Sequence, residues 1–173
     1  MNRVPQSPVL ETPQLRLWVL QLDDAAFIVE LLNTEGWLRF IGDRGVRTLD
    51  DACGYLQRGP LAMQAQHGFS LYRVERRSGG SSIGLCGLIR REGLSDVDLG
   101  FAMLPRFAGQ GLAHEASAAV LVHARQALGL ARVVAIVAPE NAASIGLLRK
   151  LGFGAEQPLR WGDATVLLFS KSM

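Results

Sequence analysis

The apolar positions of this chain change period several times, and each change marks an element. The run "LRLWVL" (15–20) reads as a short β-strand. "LDDAAFIVELLN" (22–33) then shifts to a helical spacing, with Phe27, Ile28, Leu31 and Leu32 on one stripe and Asp23 or Asp24 as cap. Thr48 to Gln57 repeats the pattern: Thr48 caps, Asp50 and Asp51 favour the first turn, and Leu49, Cys53 and Leu56 face inward. Between the two helices lies "NTEGWLRFIGDRGVRT", read as a long loop rich in Gly and Arg; loops of that length are uncommon unless they carry function.

The centre alternates with period two. "GFSLYRVE" and "SSIGLCGLIR" flank "RRSGG" as a hairpin. In "SDVDLGFAML", Val97, Leu99, Phe101 and Met103 share one face, with Asp98, Gly100 and Ala102 on the other. A helix is expected from Gly111 to Leu128, its stripe formed by Leu112, Ala116, Ala119, Val120, His123 and Ala127 and its stop by Gly129. "RVVAIVA" is a wholly apolar strand of the buried, parallel type. Asn141 opens a second helix that Gly152 halts, and two closing strands (153–159 and 164–170) turn at "WGD". The order βααβββαβαββ describes an α/β (α+β) chain: a mixed sheet, mostly antiparallel, with one strand–helix–strand crossover.

Composition narrows the class. With 173 residues, 49% hydrophobic and 20% charged, one domain spanning 1–173 is expected, with 1–11 as a loosely ordered arm. A net charge of +2 gives no reason to expect nucleic-acid or membrane binding, and the basic cluster "RVERR" reads as a solvated hairpin end. Cys53 and Cys86 read as reduced, buried thiols, and no metal site is expected. The opening "MNRVPQSPVLETP" has no apolar signal-peptide core, so the expectation is a soluble, cytoplasmic protein.

The chemistry concentrates in "PRFAGQGLAHEA" (105–116). Glycine is a poor helix former, yet Gly109 and Gly111 stand where a helix begins. A strand entering a glycine turn and then a helix N-terminus makes an anion site, because unpaired first-turn amides and the helix dipole both favour negative charge. No Lys-Ser or Lys-Thr follows, which argues against a nucleoside-triphosphate loop. A dinucleotide fingerprint would need a third glycine where His114 stands, although Glu140 falls near a ribose-binding position; the preceding antiparallel strands also argue against it.

With Arg106, Gly109 and Gly111 in place, "PRFAGQGLA" resembles the Q/R-x-x-G-x-G/A pyrophosphate loop of the GCN5-related N-acetyltransferase superfamily. "VDLGFAML" resembles that family's fourth strand, "NAASIGLLRKLGF" its asparagine-led helix, and "LRLWVLQLDDAAFIVELLN" its opening strand and helix. The resemblance covers nearly all of 12–170 and is strongest to the branch containing ribosomal-protein alanine N-acetyltransferases. It implies a sheet whose central strands splay to admit acetyl-CoA as cosubstrate, with no metal. The pantetheine would lie along Phe101, Ala102 and Met103, and the pyrophosphate on the amides of Ala108, Gly109, Gln110, Gly111, Leu112 and Ala113, near Arg106. Asn141 and Ser144 would face the cofactor from the second helix, where Asn141 also reads as a plain N-cap and Ser144 as a packed small residue. Arg106 and Lys150 are equally readable as solvated.

Acetyl transfer to an amine needs proximity, a donor for the thioester oxygen and a route for protons. The resemblance offers the Met103 amide as that donor. Asp98 is the best candidate base, with a surface or structural aspartate as the plain alternative and Asp96 nearer the turn. The family's usual tyrosine acid is replaced by Leu148, which leaves Ser144 as a weaker candidate. His114 reads as exposed beside the anion site and His123 as a core or interface residue. The acceptor, a protein N-terminal amine or a small molecule, would meet the 33–48 loop and the Trp161–Asp163 hairpin. There Arg39, Arg44 and Arg47 suit an acidic acceptor or plain solvation, and Trp37 and Phe40 serve as a satellite core or a mobile cover. A non-catalytic acyl-CoA-binding module is the competing function, and the reading leaves room for a homodimer.

Overall fold

The computed structural model describes residues 6–173, apart from the Glu156 side chain. Of the expected arm, residues 1–5 lie outside the described residues; within the rest, Leu10–Glu11 forms β1 and pairs with Leu17 and Arg16 of β2 (Leu15–Val19). A 3-10 turn at Leu22–Asp24 leads into α1 (Ala25–Leu32). The Asp24 carboxylate accepts from the Gln21 amide, closing a capping box whose N-cap is Gln21 and in which Asp24 is the third residue instead of the cap.

The expected 33–48 loop holds a helix of its own, α2 (Glu35–Phe40). It starts where the Thr34 hydroxyl accepts from the Trp37 amide. Its six residues are too few for apolar periodicity to show. The next helix, α3 (Leu49–Leu56), has the expected Thr48 cap but a different inner face. Ala52 and Leu56 are buried, Cys53 is half-buried, and Leu49 is 58% exposed. Nor does it end at Gln57. Pro60 has no N–H for the helical ladder, and the chain answers with a π-helical turn over Gln57–Leu61. It then continues as α4 (Ala62–His67), stopped by Gly68 at φ 76°.

β3 (Leu71–Arg76), β4 (Ser82–Ile89) and β5 (Val97–Met103) form an antiparallel meander; α5 (Leu112–Gln126) crosses to β6 (Arg132–Val137). Then come α6 (Ala142–Lys150), β7 (Gly154–Trp161) and β8 (Ala164–Ser172). The eight strands form one sheet in the order β1-β2-β3-β4-β5-β6-β8-β7. Among the described residues only β5 and β6 run parallel; β6 is antiparallel to β8, which inserts between β6 and β7 and sends β7 to the edge.

Cores form on both faces. One joins Val97, Leu99 and Phe169 to Leu112 and Val120 of α5 and Leu148 of α6. The other joins Leu85 and Leu104 to Ile28, Leu31, Trp37 and Leu56 from α1, α2 and α3. The inner stripe of α5 is turned relative to expectation: Ser117, Leu121 and Ala124 are buried, whereas Ala127 is exposed and His123 half-buried. Ser117 is tolerated inside because its hydroxyl shares a hydrogen bond with Cys86 Sγ (3.5 Å). Burial pushes the Cys86 thiol up to about 12, so it stays protonated and inert.

Candidate active site

The sheet opens at the parallel junction of β5 and β6. β5 and β6 pair solely through Val97 with Val133 and Asp98 with Val134. On its other edge β5 pairs with β4 along its length, and the Leu104 amide donates to the Ile83 carbonyl. Antiparallel pairing alternates, so the odd-numbered amides of β5 point away from β4; that of Leu99 is taken by the Asp98–Val134 pairing with β6, and those of Phe101 and Met103 face the opening. Ala135, Ile136 and Val137 of β6 form the opposite wall of a cleft of about 1050 Å³. An extended, amide-bearing chain can take the missing strand's place there.

At one end of β5 the chain passes through a 3-10 turn (Pro105–Phe107) into the glycine loop. Gly109 and Gly111 have φ of 72° and 75°, and a Cβ added at either would meet no atom within 4 Å. The glycines are therefore there for left-handed backbone beside open space, not for packing. α5 is 15 residues long, and its first turn, with Leu112, Ala113 and His114, lines the cleft beside Ala108. Glu115 does not compete for that site, because its carboxylate accepts from Thr12 Oγ1 (2.5 Å) and from the Gln14 amide (2.9 Å).

Two residues expected at the loop turn elsewhere. Arg106 donates to Glu30 Oε1 (2.5 Å) and lies over the Phe107 ring, and Gln110 donates to the Arg106 carbonyl (3.2 Å); neither lines the cleft. Phe101, Ala102 and Met103 do line it, as do Asn141 and Ser144 on the α6 side. Asn141 caps α6, its Oδ1 accepting from the Ser144 amide (3.2 Å). Leu148 is buried and packed, so α6 presents no tyrosine-like hydroxyl at that position.

At the other end of β5 sits Asp98, 1% exposed. Arg91 Nε donates to its Oδ2 (2.5 Å), while Oδ1 has no hydrogen-bond partner among the described residues. Burial raises the Asp98 pKa to about 6, against the opposing pull of the Arg91 charge and the Ile136 amide. It is thus no surface aspartate. Asp96 pairs with Arg132 (3.7 Å) and does not line the cleft.

These features are those of an acetyl-CoA fold, and residues 14–154 match the family model for the acetyltransferase (GNAT) domain. The chain belongs to the GNAT acetyltransferase family. It is 29% identical over 154 residues to the uncharacterized N-acetyltransferase YoaA of Bacillus subtilis, covering 88% of this chain and 86% of that protein. Its fold matches an acetyltransferase from Agrobacterium tumefaciens at TM-score 0.81, with 22% identity and coverage of 100% and 99% of the two chains. It also matches RimL, an alpha-N-protein acetyltransferase of a ribosomal protein, in complex with coenzyme A. That match has TM-score 0.82, 16% identity and coverage of 96% and 98%.

The acetyltransferase departs from expectation most at the outer end of its cleft. The Trp161–Asp163 hairpin does not line it, because the insertion of β8 carries β7 to the sheet edge, where Trp161 faces Gly93. Its place is taken by the end of α3, the π-helical turn and the start of α4: Tyr55, Arg58, Pro60 and Met63 line the cleft with Arg91. Of the three loop arginines, only Arg44 lines it. Arg47 pairs with Asp43 (2.6 Å), and Arg39 lies over the Phe40 ring. Trp37 is 5% exposed and belongs to the second core while one side of it borders the cleft. His114 is exposed at the loop end, and His123 does not line the cleft. Pro60, three residues past the expected helix end at Gln57, was the sequence signal available for the unexpected wall.

Proposed function

We propose that this N-acetyltransferase moves the acetyl group of acetyl-CoA directly onto a primary amine in a ternary complex. The observation that carries the reading is that the β5–β6 ladder stops at Asp98, leaving a strand-wide opening with the glycine loop at one end and a buried carboxylate at the other. The residues present fit the cofactor: outward amides of β5 for the pantetheine, and Gly109, Gly111 and the α5 N-terminus for the pyrophosphate. When bound, acetyl-CoA supplies an activated thioester.

The chain's own groups then orient and move protons. Asp98, ionised above about pH 6, takes the ammonium's proton, directly or through one water, and the free amine then attacks. The C–N bond forms, the C–S bond breaks, and the nitrogen sheds its second proton to solvent. The sulfur leaves as thiolate and takes a proton from solvent or from the Ser144 hydroxyl, which lines the cleft. The Met103 amide, expected to hold the thioester oxygen, is five residue steps from Asp98, about 16 Å along an extended strand. The Leu99 amide is held by the ladder to β6, and the Phe101 amide is the first to face the opening, three residues or about 10 Å from Asp98, so the reading assigns the oxygen to Phe101 in preference to Met103. An enzyme fed by acetyl-CoA, with Cys53 and Cys86 as free thiols, fits the cytoplasm.

The alternative, an acyl-CoA-binding module without turnover, does not account for a buried cleft-lining carboxylate with one oxygen left without a partner among the described residues. Calorimetry with acetyl-CoA, followed by release of free CoA thiol in the presence of a broad amine panel, tests the reading. Tight binding with release no faster than hydrolysis for every amine selects the module instead.

A further inference from the structure

Beyond the site for acetyl-CoA, the cleft has a charged wall that the transfer chemistry does not use. Arg44 and Arg58 both line it, and among the described residues neither makes a hydrogen bond or ion pair. Other arginines nearby are engaged: Arg47 with Asp43, Arg91 with Asp98 and Arg106 with Glu30. The acids lining the cleft are also engaged. Asp98 holds Arg91, and Asp51 accepts from the amides of Arg47 and Thr48 at the start of α3. The wall therefore presents two guanidinium groups without a counter-charge.

The two arginines belong to one locus. The Tyr55 hydroxyl titrates above its usual range because it is buried, and the charges of Arg44 and Arg91 pull in the opposite direction, so both guanidiniums lie within electrostatic reach of it. Arg91 in turn holds Asp98. Arg58 leaves the π-helical turn and folds back over Gly54. A Cβ there would come within 2.9 Å of Arg58 Nη1, so the glycine lets the guanidinium lie against the helix. A π-helical turn in a helix frequently accompanies a functional site.

Position excludes the cofactor as the anion these groups serve. They gather at the Asp98 end of β5, and the glycine loop follows its other end, about 16 Å away along the strand. We propose that the acceptor is an amine that also carries a carboxylate. The carboxylate docks on Arg44 and Arg58 beside Tyr55, which turns the amine toward Asp98. A guanidinium matches a carboxylate in two-point geometry, and inside a partly dry cleft such a pair discriminates strongly. This inference rests on the acetyl-transfer reading above.

The test uses the full chain and matched acceptors. Free α-amino acids are compared with their carboxamides, and acidic peptide N-termini with the same peptides neutralised at their side chains. CoA release gives kcat/KM for each, in the wild type and in Arg44→Gln/Arg58→Gln. Carboxylate-bearing acceptors should be favoured by about tenfold or more, the scale expected when a charged partner is left unmatched. The double variant should lose that preference while its acetyl-CoA Kd stays within about twofold by calorimetry. The two arms show whether the carboxylate belongs to a small molecule or to a peptide. Equal use of acids and amides, a preference that survives the double substitution, or turnover of no acceptor by protein that binds acetyl-CoA would each overturn the inference and leave the cofactor assignment standing. Failure to bind acetyl-CoA removes both readings.

Discussion

Replacing Asp98 with asparagine should make the protein more stable and much less active. Asp98 is 1% exposed, and burial moves its pKa from the usual 3.8 to about 6. A carboxyl whose folded pKa lies above its unfolded pKa holds its proton more tightly when folded. Its contribution to stability therefore falls as pH rises from about 4 to about 6 and stays low above that. At about 1.4 kcal/mol per pH unit, keeping the charged form buried at pH 8 costs about 3 kcal/mol. Asparagine has the same shape and no charge, so most of that cost disappears. The loss that opposes it is the Arg91 pair. Stranding a fully buried cation would cost about 3–5 kcal/mol, but the Arg91 side chain is 26% exposed and can turn to water. The expected net gain at pH 8 is about 1–2 kcal/mol.

Urea unfolding of both proteins between pH 4 and pH 8 reads this directly. Other carboxylates impose their own pH slopes, so the quantity to follow is the difference between variant and wild type. It should be largest at pH 8 and shrink as wild-type Asp98 takes up its proton below about pH 6. In kinetics, wild-type kcat/KM should fall on the acid side with an apparent pKa near 6, and Asp98→Asn should lose that limb and about 10² in kcat. A variant that is less stable at every pH, with near-normal kcat, would refute the reasoning and make Asp98 a structural partner of Arg91.

Two further outcomes follow from the same geometry. Gly111→Val should weaken acetyl-CoA binding by about tenfold or more, about 1.4 kcal/mol, since the position has φ 75° and open space where the proposed function puts the pyrophosphate. Calorimetry on the folded variant checks it, and unchanged affinity removes the loop assignment. Trp37→Ala should cost about 3–5 kcal/mol of stability, as expected for a 5%-exposed core residue; a thermal melt close to wild type would instead restore the mobile-cover reading.

Much of this was legible in the sequence because it depended on local rules. The alternation in Val97–Met103 placed Asp98 opposite Leu99 and Phe101, and the structure keeps those faces. Gly109 and Gly111 marked the loop because only glycine relaxes at positive φ. What was not legible depended on tertiary packing. The six-residue α2 was too short to show a period, and the helix expected to end at Gln57 runs on through a π-helical turn around Pro60. Arg58 and Arg91 carried no sequence signal, because nothing local says that a strand end and a helix about 30 residues earlier meet across a cleft. The choice of Trp161–Asp163 as a wall failed for a topological reason, since sequence order does not reveal that β8 inserts inside β7.

The two-pair junction between β5 and β6 also bears on cooperativity. Counted by hydrogen bonds, the eight-stranded sheet is two ribbons, five strands and three, joined by a short weld and a crossover helix. A ligand lying in the opening would work as a removable ninth strand, bonded to one ribbon and packed on the other. Substrate occupancy then becomes part of the architecture. At a concentration of about 100 Kd it would add about 2.7 kcal/mol to folding stability. The metabolic supply of acetyl-CoA would thereby help set how long the protein survives between turnovers.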